Sequence, residues 1–444
     1  MNRLRHPLVA VLATLALTAP WVAVDLLGVS LTTGATVLVT GLAVLGASFL
    51  LAWAAETAEE DVPRAFALAV LAVLAVAPEY AVDAFYAWNA GTYAGTARGV
   101  EAGNLAVANM TGANRILIGI GWSGIALFTV YRVAKNDSKD PSVRHREGWF
   151  KDAVALDQGI ATEIAFLFFA TVWAFLVPIG GGIGALDSIV LVGLYVAYII
   201  IVIRAGVETE EEHVGVPAYF QRYPFAHRVA VVLGLFAYSG LMILTAVEPF
   251  AHGLEHLGVQ FGVPSFFMIQ WIAPLASEAP ELIVVAYLVN KARATAGFNA
   301  LISSKLNQWT LLIGTLAVVY SVALGQYGTL PFDRKQAAEI WLTAAQSLFA
   351  LSILVDFEIS VREAVALLVL FLAQVVVEFL LLKVFTQYAY LSHDFLLVFA
   401  TVYVVAGLAL FWHRRKSLAR ILELTSETAR TAIGRGPPGP ERAD

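Results

Sequence analysis

The sequence predicts an all-α polytopic membrane protein with about 12 transmembrane helices, arranged as two inverted five-helix repeat units. Three observations carry that reading. Of 444 residues, 59% are hydrophobic and only 14% charged, whereas a soluble domain carries about a quarter charged residues. The apolar residues fall in runs of more than about 18, too long for the alternating strands of an outer-membrane barrel. Two of these runs are interrupted by the same polar signature, each followed by a second polar helix. A mean hydropathy of +0.74 excludes a soluble enzyme, a disordered chain and a nucleic-acid binder. The net charge of −6 is too small to imply a polyanionic partner. The chain has no cysteine, so disulfides, thiolate metal sites and cysteine nucleophiles are excluded.

The spans follow in order. The start, MNRLRHPLVAVLATLALTAP, has a basic head and an apolar run reaching about Leu27. No small-residue cleavage site precedes a polar start, so residues 1–32 read as a retained first helix. Apolar runs over 33–56, 64–88, 103–130, 153–177 and 182–205 form a first unit, residues 33–205. Residues 206–227 form a cytoplasmic loop whose VETEEEHVG segment reads as a solvated acidic patch. Runs over 228–248, 262–290, 297–324, 336–355 and 361–386 form the second unit, residues 228–386. A last extra helix, 394–412, lies within 387–413. Residues 414–444 are a tail with a short amphipathic helix from Ser417, then GRGPPGPERAD, too rich in Pro and Gly to pack. With both termini cytoplasmic, all but six of the 28 lysines and arginines fall inside. Arg98, Arg334, Lys335 and Lys383 are outside, and Arg115 and Lys305 lie within spans. That asymmetry sets the orientation, and we expect an integral protein of a prokaryotic plasma membrane.

The polar signature recurs at LAVAPEYAVDAFYAW in span 3 and IAPLASEAPELIVVAYL in span 8. Both hold Ala-Pro-Glu, at Ala77-Pro78-Glu79 and Ala279-Pro280-Glu281. The following helices carry AVANMTGANRILIGIG and ALISSKLNQWTLLIG. Aligning Gly121 with Gly314 places Thr111 over Ser304 and Asn114 over Asn307, each pair at i and i+3 on one helix face. Span 3 and span 8 run in opposite directions, so the repeats are inverted. Inverted repeats with interrupted helices at matching positions point to a secondary transporter with its ion site at the repeat interface.

Proline within a span removes a backbone hydrogen bond and kinks the helix, freeing a carbonyl near Leu74 for Pro78 and near Ala276 for Pro280. A freed carbonyl beside a glutamate suits a hard cation, which takes oxygen ligands. Carboxylates buried in lipid are costly and by default functional. Glu79, Asp83, Glu278 and Glu281 qualify, and Thr111, Asn114, Ser304 and Asn307 would add neutral oxygens. Arg115 and Lys305 each lie within a turn of a polar cluster, so a basic side chain can take the place of a bound monovalent cation or pair with a carboxylate. Glu163 in span 5 faces Gln346 of span 10 under the repeat correspondence, which makes it a candidate proton or ion relay. Glu378 in span 11 is a further intramembrane carboxylate. Glu101 reads as an outer-surface residue, and His252 and His256 as part of an outer loop, where HGLEH lacks the HExxH zinc spacing.

These segments resemble the alpha-repeats of the sodium/calcium exchanger family, within the cation/calcium exchanger superfamily, whose repeat helices carry GTSxPE and GNxxGSNxxN. ASEAPE keeps Ser277, Pro280 and Glu281, and LAVAPE keeps Pro78 and Glu79. ANMTGAN, with Asn109 and Asn114, matches the second helix, and SSKLN matches it more weakly. The resemblance implies that Glu79 and Glu281 bind the metal cation, with Ser277, Ser304 and Thr111 as the next matches. The sequence departs from the family at Ala75 and Val76, which lack the hydroxyls of GTS, and at Glu278, which stands where the family has serine.

The expected function is secondary antiport of Ca²⁺ or a related cation against Na⁺ or H⁺ by alternating access. A Na⁺/H⁺ exchanger is the alternative on the same fold, and a channel or non-transporting scaffold is the reading from another class. No nucleotide loop, metalloprotease helix or serine elbow appears, so the chain is expected to be a transporter and not an enzyme. No cofactor is expected beyond the transported cations. Its partners would be the lipid bilayer and inorganic cations, with no nucleic acid.

Overall fold

The computed structural model describes residues 6–61, 76–136, 140, 142–148, 150–206, 215–290 and 292–434. The helices, in chain order, are α1 (Pro7–Leu27), α2 (Thr33–Ala58), α3 (Ala77–Thr92) and α4. Helix α4 runs from Ala97–Ile116 through a π-helical turn at Leu117–Trp122 into Ser123–Asn136. Then come α5 (Ala161–Ala174), α6 (Ala185–Ala205), α7 (Phe225–Phe261), α8 (Ser265–Asn290) and α9. Helix α9 joins Ala294–Asn307, a π-helical turn at Gln308–Leu312, and Ile313–Leu324. Last are α10 (Arg334–Leu354), α11 (Val361–Phe379, extended by a π turn at Leu380–Val384), α12 (Ser392–His413) and α13 (Arg415–Ala432). Among the described residues, ten helices are long and apolar enough to cross a membrane, or eleven with the bent α8.

Several boundaries differ from the sequence expectation. Pro78 stands in the first turn of α3 and not in mid-helix, where its missing N–H costs nothing. Residues 62–75, with Leu74, lie outside the described residues, as do 207–214 of the acidic loop and 435–444 of the tail. Around Pro280, α8 bends by 53° between Ser265–Ala279 and Glu281–Asn290. Span 5 is α-helical only from Ala161, after a 3-10 turn at Gln158–Ile160, because Ala153–Ala155 is drawn into a strand. Helix α7 continues past Pro249 to Phe261, so His252 and His256 lie on its last turns and not in a loop.

Among the described residues, two small sheets join the halves. Strands β1 (Val143–Arg144), β2 (Ala153–Ala155) and β5 (Glu358–Ser360) form one, in that order and antiparallel. Strands β3 (Gly182–Ile183) and β4 (Leu330–Pro331) form the other. The first joins the α4–α5 loop to the α10–α11 loop, and the second joins the α5–α6 loop to the α9–α10 loop. Each therefore links one repeat to the other, and they sit at opposite ends of the helices. Helix α10 enters behind Asp333, whose carboxylate accepts from Gln336 N at 2.9 Å, and α11 behind a Ser360/Glu363 capping box.

In a bilayer, helices associate through packing and interhelical polar contacts, since lipid tails are as apolar as leucine. Helices α4 and α8 approach so closely that a Cβ at Gly112 would overlap the carbonyl oxygen of Gln270. That approach brings the polar helix of one repeat against the Pro-Glu helix of the other. The expected amphipathic tail is α13, whose Ile421 is buried and whose Thr425 hydroxyl donates to Ala161 O at 3.2 Å.

Candidate ion-binding site

Helices α3 and α8 bring the Pro-Glu carboxylates into the interior, and α4 and α9 supply the facing amides. Glu79 and Glu278 are buried, and both accept from one amide nitrogen, Gln308 Nε2, at 2.5 Å each. Glu281, one turn further along α8, accepts from the Ser304 hydroxyl at 3.1 Å, and both residues are only partly buried. The acidic centre thus has two levels, a buried Glu79–Glu278 pair and a more open Glu281–Ser304 pair, one helical turn apart on both α8 and α9.

Neutral groups surround it. Tyr80 O–H donates to Asn307 Oδ1 at 2.6 Å. Lys305 is buried, donates from Nζ to Asn114 Oδ1 at 2.9 Å and lies 4.7 Å from the Trp309 ring centroid. Asp83, a turn above Glu79, accepts from Asn109 at 3.0 Å. The atoms Glu79 Oε1, Glu278 Oε2, Asp83 Oδ2, Asn109 Oδ1 and Gln308 Oε1 are buried without a protein partner. Buried acceptors are normally satisfied, and unsatisfied oxygens of this kind suit a hard cation or protons. Among the described residues no group of three His, Asp or Glu side chains forms a metal cluster. Any cation here would take much of its shell from amides, hydroxyls and water.

The remaining candidates lie elsewhere. The Ser277 hydroxyl donates back to Pro274 O at 3.2 Å. Thr111 donates to Val107 O and accepts from Gln270 Nε2, and among the described residues it makes no hydrogen bond to Glu79, Glu278 or Glu281. Arg115 pairs with Glu339 of α10 at 2.6 Å, both fully buried, so it answers a carboxylate that sequence reasoning did not single out. Glu163 accepts from Tyr198 O–H at 2.9 Å, while Gln346 donates to Arg115 O at 3.4 Å, so the two serve different neighbours. The largest omission is Gln308. It stands next to Asn307 and matches Arg115 under the Gly121/Gly314 alignment, and that correspondence was the available signal.

The two-repeat arrangement defines an ion exchanger fold, and the family comparison agrees. The sodium/calcium exchanger protein family profile matches residues 31–204 and 231–380, and the chain belongs to that family. Among solved structures it is 42% identical to one described as the H⁺/Ca²⁺ exchanger CAX, with TM-score 0.83, covering 95% of this chain and 98% of that one. It also matches the structure of native YfkE at 15% identity and TM-score 0.56, covering 83% and 99%. The sodium-calcium exchanger NCX_Mj matches at 16% identity and TM-score 0.48, covering 77% and 98%. No curated protein matches the chain. The protein is an integral membrane cation/Ca²⁺ antiporter by family, not an enzyme.

Proposed function

We propose that this antiporter moves Ca²⁺ in exchange for protons, with both termini cytoplasmic in a prokaryotic plasma membrane. The observation that carries the reading is the acidic centre itself. Glu79 and Glu278 come from opposite halves and meet on Gln308, with Glu281 one turn away. Carboxylates at this depth need positive charge from their cargo. Ca²⁺ supplies it in one half of the cycle. In the other, each carboxylate that releases the metal takes a proton.

Lys305 favours protons over sodium as the exchanged ion. Its ammonium occupies Asn114 Oδ1, an oxygen that would otherwise be free to ligate a small monovalent cation. The 42% identity to a protein described as an H⁺/Ca²⁺ exchanger supports the same choice. Carboxylates contributed by both halves also suit alternating access, in which movement of one part of the protein against the other opens the site to each side in turn.

The test is radiolabelled calcium uptake into proteoliposomes under imposed proton or sodium gradients. A proton gradient should drive uptake, and a sodium gradient at equal pH should not. Glu79→Gln and Glu281→Gln should each lower flux by at least tenfold while the protein still inserts and folds. Near-normal flux in Glu281→Gln under every gradient would refute the site assignment, and sodium-driven uptake would move the coupling to Na⁺.

A further inference from the structure

A second buried polar region lies between α4, α8, α10 and α11. Glu378 of α11 is fully enclosed, and its Oε1 is 2.9 Å from Lys335 Nζ. Lys335, in the first turn of α10, is the one partly exposed member, with 19% of its side chain accessible, and it also lies 3.6 Å from Glu339 Oε1. Glu339 Oε2 accepts from Arg115 Nη2 at 2.6 Å and from Gln270 Nε2 at 3.1 Å. Gln270 Nε2 reaches on to Thr111 Oγ1 at 3.4 Å. One turn deeper on α4, Asn114 accepts from Lys305 beside the acidic centre. Polar side chains therefore extend from the membrane face carrying the α9–α10 loop to Thr111, one helical turn from the Asn114–Lys305 contact.

This polar region is not fully satisfied by protein. Arg115 Nε and Nη1, Trp271 Nε1, Gln270 Oε1 and Gln374 Oε1 are all buried with no protein hydrogen-bond partner. Orphaned donors and acceptors gathered in one interior region are met by ordered water. Two carboxylates, two fixed cations and water make a neutral zone. Both carboxylates are already paired with fixed cations, so no uncompensated negative charge is left to bind a metal dication, whereas a proton can pass along water and carboxylate oxygens.

We propose that this region is a proton route distinct from the calcium route, with Glu378 as its entry group. A proton arriving from the outer face binds a Glu378 oxygen. It then passes through the hydrated region past Glu339 and Thr111 to a carboxylate of the acidic centre, and Glu378 returns to its ionised form. The charged groups that act on Glu378 are Lys335, 2.9 Å away, and Glu339 of α10 and Arg115 of α4, while Phe266 of α8 covers Lys335. This inference rests on proton coupling and adds to it a pathway and an entry residue.

The test compares two fluxes in full-length protein in proteoliposomes. One is calcium uptake driven by a pH gradient. The other is exchange of labelled for unlabelled Ca²⁺ at equal pH, which uses the metal site and needs no net proton movement. Glu378→Gln should lower the first by tenfold or more and leave the second within twofold. The charge-balanced double variant Glu378→Gln/Lys335→Gln should behave alike, and it provides the measurement if the single variant does not fold. Equal loss of both fluxes in the double variant makes the region structural and overturns the proposal, as does unchanged pH-driven uptake. Wild-type protein with calcium self-exchange but no pH-driven uptake would instead refute proton coupling itself, and this inference with it.

Discussion

The side chains of the interior show how each polar choice is answered by another. Gln308 is the instructive one: a neutral amide between two carboxylates, carrying no charge that would draw notice in a sequence. The glutamates, the prolines and the Asn-bearing helices were legible because charge and proline are conspicuous against an apolar background. Their partners were not. Arg115 was legible as a buried base, but its partner Glu339 comes from a helix far along the chain, and no local pattern links them. That pair yields a stability prediction. Removing one member of a buried ion pair leaves an uncompensated charge, costing about 3–5 kcal/mol, whereas replacing both can be nearly neutral. Arg115→Met should therefore lower stability by about that amount in a detergent melting assay. Arg115→Met/Glu339→Gln should recover most of it, and a double variant as unstable as the single one would mean that the pair is not what Arg115 supplies.

At the scale of elements, helix existence followed from apolar runs, and boundaries failed where another element intervened. Span 5 lost its first turns to strand pairing at Ala153–Ala155, which depends on Glu358–Ser360 some 200 residues away and has no local signature. The end of α10 shows how such junctions are tied. Arg414 at the end of α12 reaches Asp356 at 3.1 Å and Glu363 at 2.5 Å and donates to Ile353 O at 2.6 Å. Asp356 lies outside the spans, and burial pushes its carboxyl up to about 6 against the pull of Arg414. A carboxyl raised above its unfolded value of 3.8 favours the folded state in its protonated form. That contribution is complete below the unfolded value and is lost as pH rises through about 6. Asp356→Asn cannot titrate, so its melting temperature should fall less than wild type between pH 4 and pH 7. Identical pH profiles would show that Asp356 does not carry the dependence.

For the whole molecule, the plan of two inverted five-helix units was readable from one repeated tripeptide and the direction of its helices. The routes between the halves were not, because they depend on close approaches such as Gly112 against Gln270. Orientation is open to a direct check in a chain that lacks cysteine. Ala97→Cys, at the start of α4, should react with an impermeant thiol reagent in intact cells. Glu147→Cys, beside β1, should react only after permeabilisation, and the reverse pattern would turn the molecule over.

The two small sheets have a mechanical consequence. Strand pairs β2–β5 and β3–β4 stitch the same region of the protein at its top and at its bottom, and main-chain hydrogen bonds resist shear. Strands paired at both rims hold the elements they join in one register, while one panel of helices stands outside that pairing. That panel is α1, α2 and α7. They are bound to one another, with α1 tied to α7 through Trp21 Nε1 donating to Thr245 at 3.0 Å and α2 to α7 through Gln260 and Thr33 at 3.1 Å. Neither sheet includes any residue of theirs. Among the described residues, those three helices are thus held to the bundle by side-chain contacts, with no strand pairing to fix their height against it.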